Sequence, residues 1–510
     1  MKKYYFFFFF LLIGIVAFAN PYYQITDVSY FIEGTKLKFI PKTKLYPLQE
    51  AVDIDKDKIF SSYEELQSYL ENLKQQFTNL RTLESSEIIP TIQEFKIQDN
   101  IIPVKLVIKT KDSWNLFPLP YPKYDSNDGF IFKLKIKDYN FLGTMKTFDF
   151  DINYTHKTYP NEQRPDDHLV GFNFSFDWPF KMAIFDSIWK NDFSLDFVFG
   201  EKTPNFHYET GLSLSLPLNQ FNLELELSQG VTQDDYYETT NDKFYFTEKA
   251  EVRIPFKVAE IANFGMLYWT PYANFTFNWD ISAFHGTNVF DSVIHEDLSG
   301  PRLKVGSSIS TSRINWKSNF RKGMNLKIEQ YYKYNNYTKI FSPVFSGEIA
   351  LYENIKFMGF YSRIHSFVDL NDTTEIGKNL RGIIDNSYKT NTALTMNFDM
   401  PITLIKTDWT KWGFTKFLPF MSLLNFEMQF SPFIDISLGY NTHTGTYFNL
   451  KDGYYTAGAE IIVFPNKMRS IHARLSIGLD LTHFIPDSFI NKAWRNKDYT
   501  EVYFGIGLFY

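Results

Sequence analysis

Cysteine is absent from the sequence, which excludes disulfides, thiolate metal sites and a cysteine nucleophile together. Histidine is scarce: nine residues are scattered over 510, none in H-E-x-x-H or another metal-ligand spacing. There is no P-loop and no G-x-S-x-G elbow; Gly211-Leu212-Ser213-Leu214-Ser215 reads as an alternating strand without the final glycine. No cofactor, metal or enzymatic activity is therefore expected. Basic charge is in deficit, 52 Lys and Arg against 58 Asp and Glu, for a net charge of −6. That balance argues against nucleic acid as the main partner, because phosphate binding needs a basic face. Beyond residue 19 no run of 18 apolar residues occurs, so no later transmembrane helix is expected. What the chain has in excess is aromatic: 54 Phe and 33 Tyr.

Lys2 and Lys3 precede an apolar run from Tyr4 to Val16 that ends at Ala17-Phe18-Ala19. Charged start, apolar middle and small-x-small end form the pattern of a signal peptide, here residues 1–19. The alternative, a membrane anchor, needs about 20 apolar residues. Between residues 20 and 125 the pattern is mixed. Strand-like stretches at Ile25 to Ile32 and Leu37 to Ile40 precede a helix whose stripe is Leu66, Leu70, Leu73, Phe77 and Leu80. Ser61 or Ser62 can cap it, with Glu64 or Glu65 three residues on. Two further strands, Ser86 to Ile92 and Val104 to Thr110, complete a small α+β domain.

From Phe130 onward strict alternation takes over. Phe132, Leu134 and Ile136 alternate with Lys133, Lys135 and Lys137; Phe148, Phe150 and Ile152 alternate with Asp149 and Asp151. Two faces of each strand thus meet opposite solvents. Tilted strands of about 9 to 11 residues cross a bilayer, and closure into a barrel removes edges that lipid could not solvate. About seventeen segments qualify; because single-chain barrels are usually even-numbered, the expectation is a transmembrane antiparallel β-barrel of about 16 strands over residues 126–510.

Four segments stand out along this series. Asp138-Tyr139-Asn140-Phe141-Leu142-Gly143-Thr144 lies between the first two alternating strands, and Leu380-Arg381-Gly382-Ile383 precedes the last five. Phe433-Ile434-Asp435-Ile436-Ser437 falls one strand beyond the next, and Phe504, Ile506, Leu508 and Tyr510 end the chain. In this order they resemble the outer-membrane assembly factor superfamily, the BamA and TamA group that also includes two-partner secretion pores. Asp138, Asn140, Leu142 and Gly143 match its D-x-N-x-L-G turn. Arg381 and Gly382 match the V-R-G-F/Y tip of the long sixth extracellular loop, which folds back into the lumen; Ile383 stands where the family has an aromatic. Phe433 and Asp435 match its F-x-D-x-G strand, with Ser437 in place of the glycine. The last four residues are similar to the terminal aromatic signal by which barrel proteins are recognised for insertion.

The resemblance implies that residues 20–125 form one POTRA-like domain in the periplasm and that the barrel lies in the outer membrane. It implies a role in outer-membrane protein insertion or polypeptide translocation. Partners would be unfolded outer-membrane or secreted polypeptide clients, engaged at the POTRA edge and the barrel seam, with membrane lipid and periplasmic or lipoprotein accessory subunits. Two readings remain beside it: a passive pore or substrate-specific channel, and a barrel hydrolase using His472, Arg474, Ser476 and Asp480, which share one register. The residues also speak for themselves. With Ile434, Ile436 and Leu438 facing lipid, Phe433, Asp435 and Ser437 face the lumen. There a guanidinium from Arg381 can pair with the carboxylate in bidentate geometry; the alternative is a solvated Arg381 beside a Gly382 that only supplies a turn.

Overall fold

A computed structural model describes residues 21–35, 40–97, 100–126, 129–158, 166–200, 204–233, 244–262, 264–279, 301–336, 339–411, 424–492 and 500–509. The expected signal peptide, most of the expected strand at Leu37 to Ile40, and Tyr510 lie outside these residues.

The N-terminal unit runs β1 Tyr22–Glu33, α1 Leu45–Ala51, β2 Ile59–Phe60, α2 Tyr63–Asn79, β3 Leu83–Ile92 and β4 Ile101–Asp112. Its sheet order is β2-β1-β4-β3, with β1 parallel to β4. That parallel pair demands a crossover, which the two helices supply. α2 starts as the Ser-x-x-Glu spacing dictates: the Ser62 hydroxyl accepts from the Glu65 amide at 3.2 Å, and the Glu65 carboxylate accepts from the Ser61 amide at 2.8 Å. Leu66, Leu73 and Phe77 then bury the helix against Ile25, Val104, Leu106 and Ile108. α1 escapes a periodicity reading because its seven residues are too few to show one, and Pro47 sits inside it.

The second unit is a barrel. Its strands are β5 Leu116–Asp125, β6 Gly129–Asp138, β7 Phe148–Lys157, β8 Asp167–Met182, β9 Phe185–Val198 and β10 Asn205–Pro217. Then come β11 Asn222–Gln233, β12 Phe244–Arg253 continued by Phe256–Ile261, β13 Gly265–Trp279, β14 Pro301–Lys317, β15 Phe320–Asn335 and β16 Phe341–Ile355. The last are β17 Met358–Asp369, β18 Thr392–Asp399 continued by Ile402–Lys406, β19 Phe426–Asn441, β20 Tyr454–Pro465, β21 Ala473–Asp480 and β22 Thr500–Ile506. Each pairs antiparallel with the next, and β22 pairs back onto β5 to close the ring. No helix among the described residues is long and apolar enough to cross a membrane; a barrel crosses with strands.

Among the described residues the closed barrel has eighteen strands, not about sixteen. All seventeen alternating segments are strands, so none was to be discarded. The eighteenth is β5, whose Pro118, Pro120 and Pro122 disguise it, since proline is excluded from central strands. The barrel accordingly begins at Leu116 rather than at residue 126. At the other end β22 stops at Ile506, so Leu508 does not continue the alternation begun by Phe504 and Ile506.

Alternation has the physical outcome it demands. Phe132, Leu134, Leu227, Ile328, Ile434 and Ile477 point outward and exposed, an apolar surface far larger than a water-soluble protein carries. Inside, the β6 lysines meet the aspartates of β7: Lys135 and Lys137 lie 3.0 and 3.1 Å from Asp149, and Lys133 lies 3.5 Å from Asp151. Charges paired across strands fill a polar lumen.

Candidate functional site

The chain between β17 and β18 lies at the end of the barrel away from the N-terminal unit, and it folds back inside. Thr374–Glu375 pairs with Lys389–Thr390 to close its neck. Below the neck, Ile376, Leu380, Ile383 and Tyr388 pack on Phe367, Ala393 and Tyr454 of the barrel wall. Burying four apolar side chains drives the loop inward.

The tip delivers Arg381, 3% exposed, to Asp435 of β19, which is fully buried. Asp435 Oδ2 accepts from the Arg381 backbone amide and from Nε, both at 2.9 Å, and Oδ1 accepts from Nη2 at 2.6 Å. Nη1 donates to Asp399 of β18 and, at 3.3 Å, to Glu460 of β20. The Phe433 ring lies under the guanidinium, 3.7 Å from ring centroid to Cζ. A buried cation is tolerable only when its donors are met, and here they are. Gly382 takes φ +101° and donates its amide to Glu501 of β22 at 2.7 Å. A Cβ on Gly478 of β21 would lie 2.5 Å from the Gly382 nitrogen and 2.7 Å from the Arg381 carbonyl carbon. The tip therefore touches each of the last five strands in turn.

Asp399, Glu460, Glu501 and Gly478 belong to none of the sequence motifs. The carboxylates resemble any lumenal polar residue; Gly478 inside a strand is the one legible sign, since such a glycine marks close backbone approach. Phe433 and Asp435 share the lumenal face with Ser437, whose hydroxyl lies 3.1 Å from that of Thr395.

The residues Asp138 to Thr144 form a joint rather than part of the lumen. Asp138 Oδ1 accepts from the Asn140 amide at 2.9 Å, Asn140 Nδ2 donates to Thr43 at 2.8 Å, and Asn140 Oδ1 accepts from the Met145 amide at 2.8 Å. Thr43 in turn donates to Asp112 at the end of β4, by amide at 2.9 Å and by hydroxyl at 2.7 Å. Gly143, φ +78°, lies so close that a Cβ would sit 2.2 Å from the Lys42 carbonyl oxygen, and Leu142 beside it takes φ +48°. Asn140→Ala is expected to leave buried partners unsatisfied and to cost about 1–3 kcal/mol of docking. Faster hydrogen exchange at Lys44, whose amide donates to the Gly143 carbonyl at 2.8 Å, would report it.

The same unit is fastened to other turns at this end of the barrel. Tyr46 donates to Asp186 at 2.8 Å beside the β8–β9 turn, and Asn79 Nδ2 donates to Asn315 Oδ1 at 3.0 Å before the β14–β15 turn. Arg81 lies over the Trp316 ring and donates to the Arg469 carbonyl at 2.6 Å, in the β20–β21 turn. Burial, with the charge of Arg469, lowers the Arg81 guanidinium to about 10, against the pull of Glu427. It stays charged at neutral pH.

The seam between β22 and β5 is short. Its register is Tyr503↔Asp125 and Phe504↔Tyr124, bordered by the Ser126 amide donating to the Val502 carbonyl at 3.2 Å. Past Ile506 the chain turns at Gly507, φ +113°. Phe509 then lies against Arg381, 4.4 Å from ring centroid to Cζ, and Leu508 and Phe509 line one lumenal pocket with Asp399 and Glu460.

Two members of the candidate hydrolase set, Arg474 and Asp480, are otherwise engaged. Arg474 donates to Glu460 at 3.2 Å, Asp480 accepts from the Thr482 amide at 2.9 Å and lies 3.2 Å from His483, and His472 precedes β21. At about 3.4 Å per residue, strand geometry keeps His472 roughly 13 Å from Ser476.

No family model and no curated protein matches the chain. Among solved structures, CdiB from Acinetobacter baumannii is 10% identical, with 95% of this chain and 73% of that chain covered and a TM-score of 0.48. BamA from Haemophilus ducreyi lacking POTRA domains 1-3 is 10% identical over 94% of this chain and 84% of that one, with a TM-score of 0.36. This chain is similar to CdiB and BamA. CdiB from Escherichia coli is 7% identical over 96% and 91% of the two chains, with a TM-score of 0.41. The likeness is one of barrel architecture.

Proposed function

We propose that this chain is an outer-membrane protein that inserts or translocates other polypeptides, with its N-terminal unit in the periplasm and residues 1–19 as its signal peptide. The observation that carries the reading is the loop tip: Arg381 and Gly382 tie together the five strands next to the closing seam. A loop held there narrows the lumen, which suits a barrel that handles polypeptides more than one that stands open as a pore. The strand and helix order of the N-terminal unit, two helices crossing between parallel strands, fits a POTRA-like domain. Its β3 lies at a sheet edge, where an unfolded client can add a strand by backbone hydrogen bonds.

The test is controlled depletion followed by quantitative proteomics of the outer membrane and of the secreted fraction. Loss of barrel proteins, or of particular secreted proteins, is expected. An unchanged profile, together with a large steady conductance that survives deletion of the N-terminal unit, would establish a passive channel instead.

A further inference from the structure

β5 carries proline at every second position from 118 to 122. In an antiparallel ladder the N–H and C=O of one residue point to the same neighbour, and successive residues alternate between neighbours. Two bonds fix the parity here. The Asn115 carbonyl accepts from the Tyr139 amide at 3.0 Å, so odd residues of β5 face β6; the Ser126 amide donates to Val502, so even residues face β22. The register from Leu116↔Asp138 to Asp125↔Gly129 runs without a shift. Pro118, Pro120 and Pro122 therefore all stand on the seam side, where each removes a donor, while the ladder to β6 keeps all of its own.

The seam register, continued past Phe504↔Tyr124, would set Ile506 opposite Pro122 and Leu508 opposite Pro120. Pairing stops where the prolines begin. The Ile506 carbonyl accepts from the Tyr503 hydroxyl at 3.3 Å, the Gly507 amide donates back to His472 at 3.1 Å, and the tail departs into the lumen. We propose that the three prolines silence the seam edge of the first barrel strand, so that neither the chain's own tail nor an incoming β-strand can extend a ladder along it. This rests on the reading of the chain as a polypeptide-handling barrel and narrows it: the client is not a barrel strand templated on β5.

The absence of cysteine allows a direct test. Residues 119 and 509 would face each other as a non-hydrogen-bonded pair if the ladder continued, close enough for a disulfide. Leu119→Cys with Phe509→Cys is introduced into the full chain, with the prolines intact and with Pro118→Thr, Pro120→Thr and Pro122→Thr together. Threonine restores the donors and favours strands. The disulfide is expected only in the threonine background. Equal formation in both, or formation in neither, overturns the role of the prolines.

The second arm reconstitutes the full chain, cysteine-free, in phosphatidylethanolamine and phosphatidylglycerol vesicles and offers a small outer-membrane barrel polypeptide unfolded in urea. Folding no faster than in empty vesicles is expected; acceleration overturns the silent edge while leaving the wider functional reading in place. An unchanged proteome on depletion removes that wider reading whatever the seam does.

Discussion

Arg381→Ala is expected to release the loop from the lumen and to reproduce the effect of depletion on client proteins. The guanidinium and its backbone amide satisfy both oxygens of Asp435 and reach Asp399 and Glu460 besides. Without it, Asp399, Asp435 and Glu460 lose the cation they share, while Arg474 still donates to Glu460. Removing one partner of a buried pair costs about 3–5 kcal/mol because the other charge stays uncompensated. At 1.4 kcal/mol per tenfold, docking of the loop weakens by roughly a hundredfold to a few thousandfold. Hydrogen exchange across residues 376–388 would report the release, and proteomics the consequence. Arg381→Lys is expected to fail as well, since a single ammonium cannot span three carboxylates from one position. Protection of the loop unchanged in Arg381→Ala would show that apolar packing alone holds it.

Gly478→Val is expected to give the same loop release with every charge intact. The obstructed atoms are backbone, the Gly382 nitrogen at 2.5 Å and the Arg381 carbonyl carbon at 2.7 Å from a built Cβ, and backbone cannot rotate away as a side chain would. Overpacking costs about 1–3 kcal/mol where neighbours adjust; here relief comes only by displacing the tip. Valine suits a strand, so β21 is expected to keep its pairing with β20 and β22. Gly230→Val in β11 is the control, because a Cβ there meets nothing nearer than 3.6 Å. Equal exchange in the two variants would refute a steric role for Gly478.

Alternation made the barrel legible: the lipid-facing Phe132 and Leu134 and the lumenal Lys133 and Lys135 announce β6 by their period of two alone. It failed at β5 because Pro118, Pro120 and Pro122 break the rule that strands avoid proline, and the reason they can do so, a seam that is barely paired, is not written in the local sequence. For the site, Arg381, Gly382 and Asp435 were legible as short motifs. Asp399, Glu460 and Glu501 were not, because what distinguishes them is a loop arriving from another part of the chain. Asp138 and Asn140 were recognised as a turn, but their partners Thr43 and Asp112 lie across a domain boundary that sequence spacing does not bridge.

The fastening of the N-terminal unit has a mechanical consequence for the barrel. The β6–β7 turn, held through Thr43, and the β20–β21 turn, held through Arg81, flank the seam on opposite banks. One folded body with its own core grips both, so at that rim the banks keep a set separation while the joints hold. Any parting of β22 from β5 is therefore resisted at that rim by the N-terminal unit, and cutting either joint would remove that resistance.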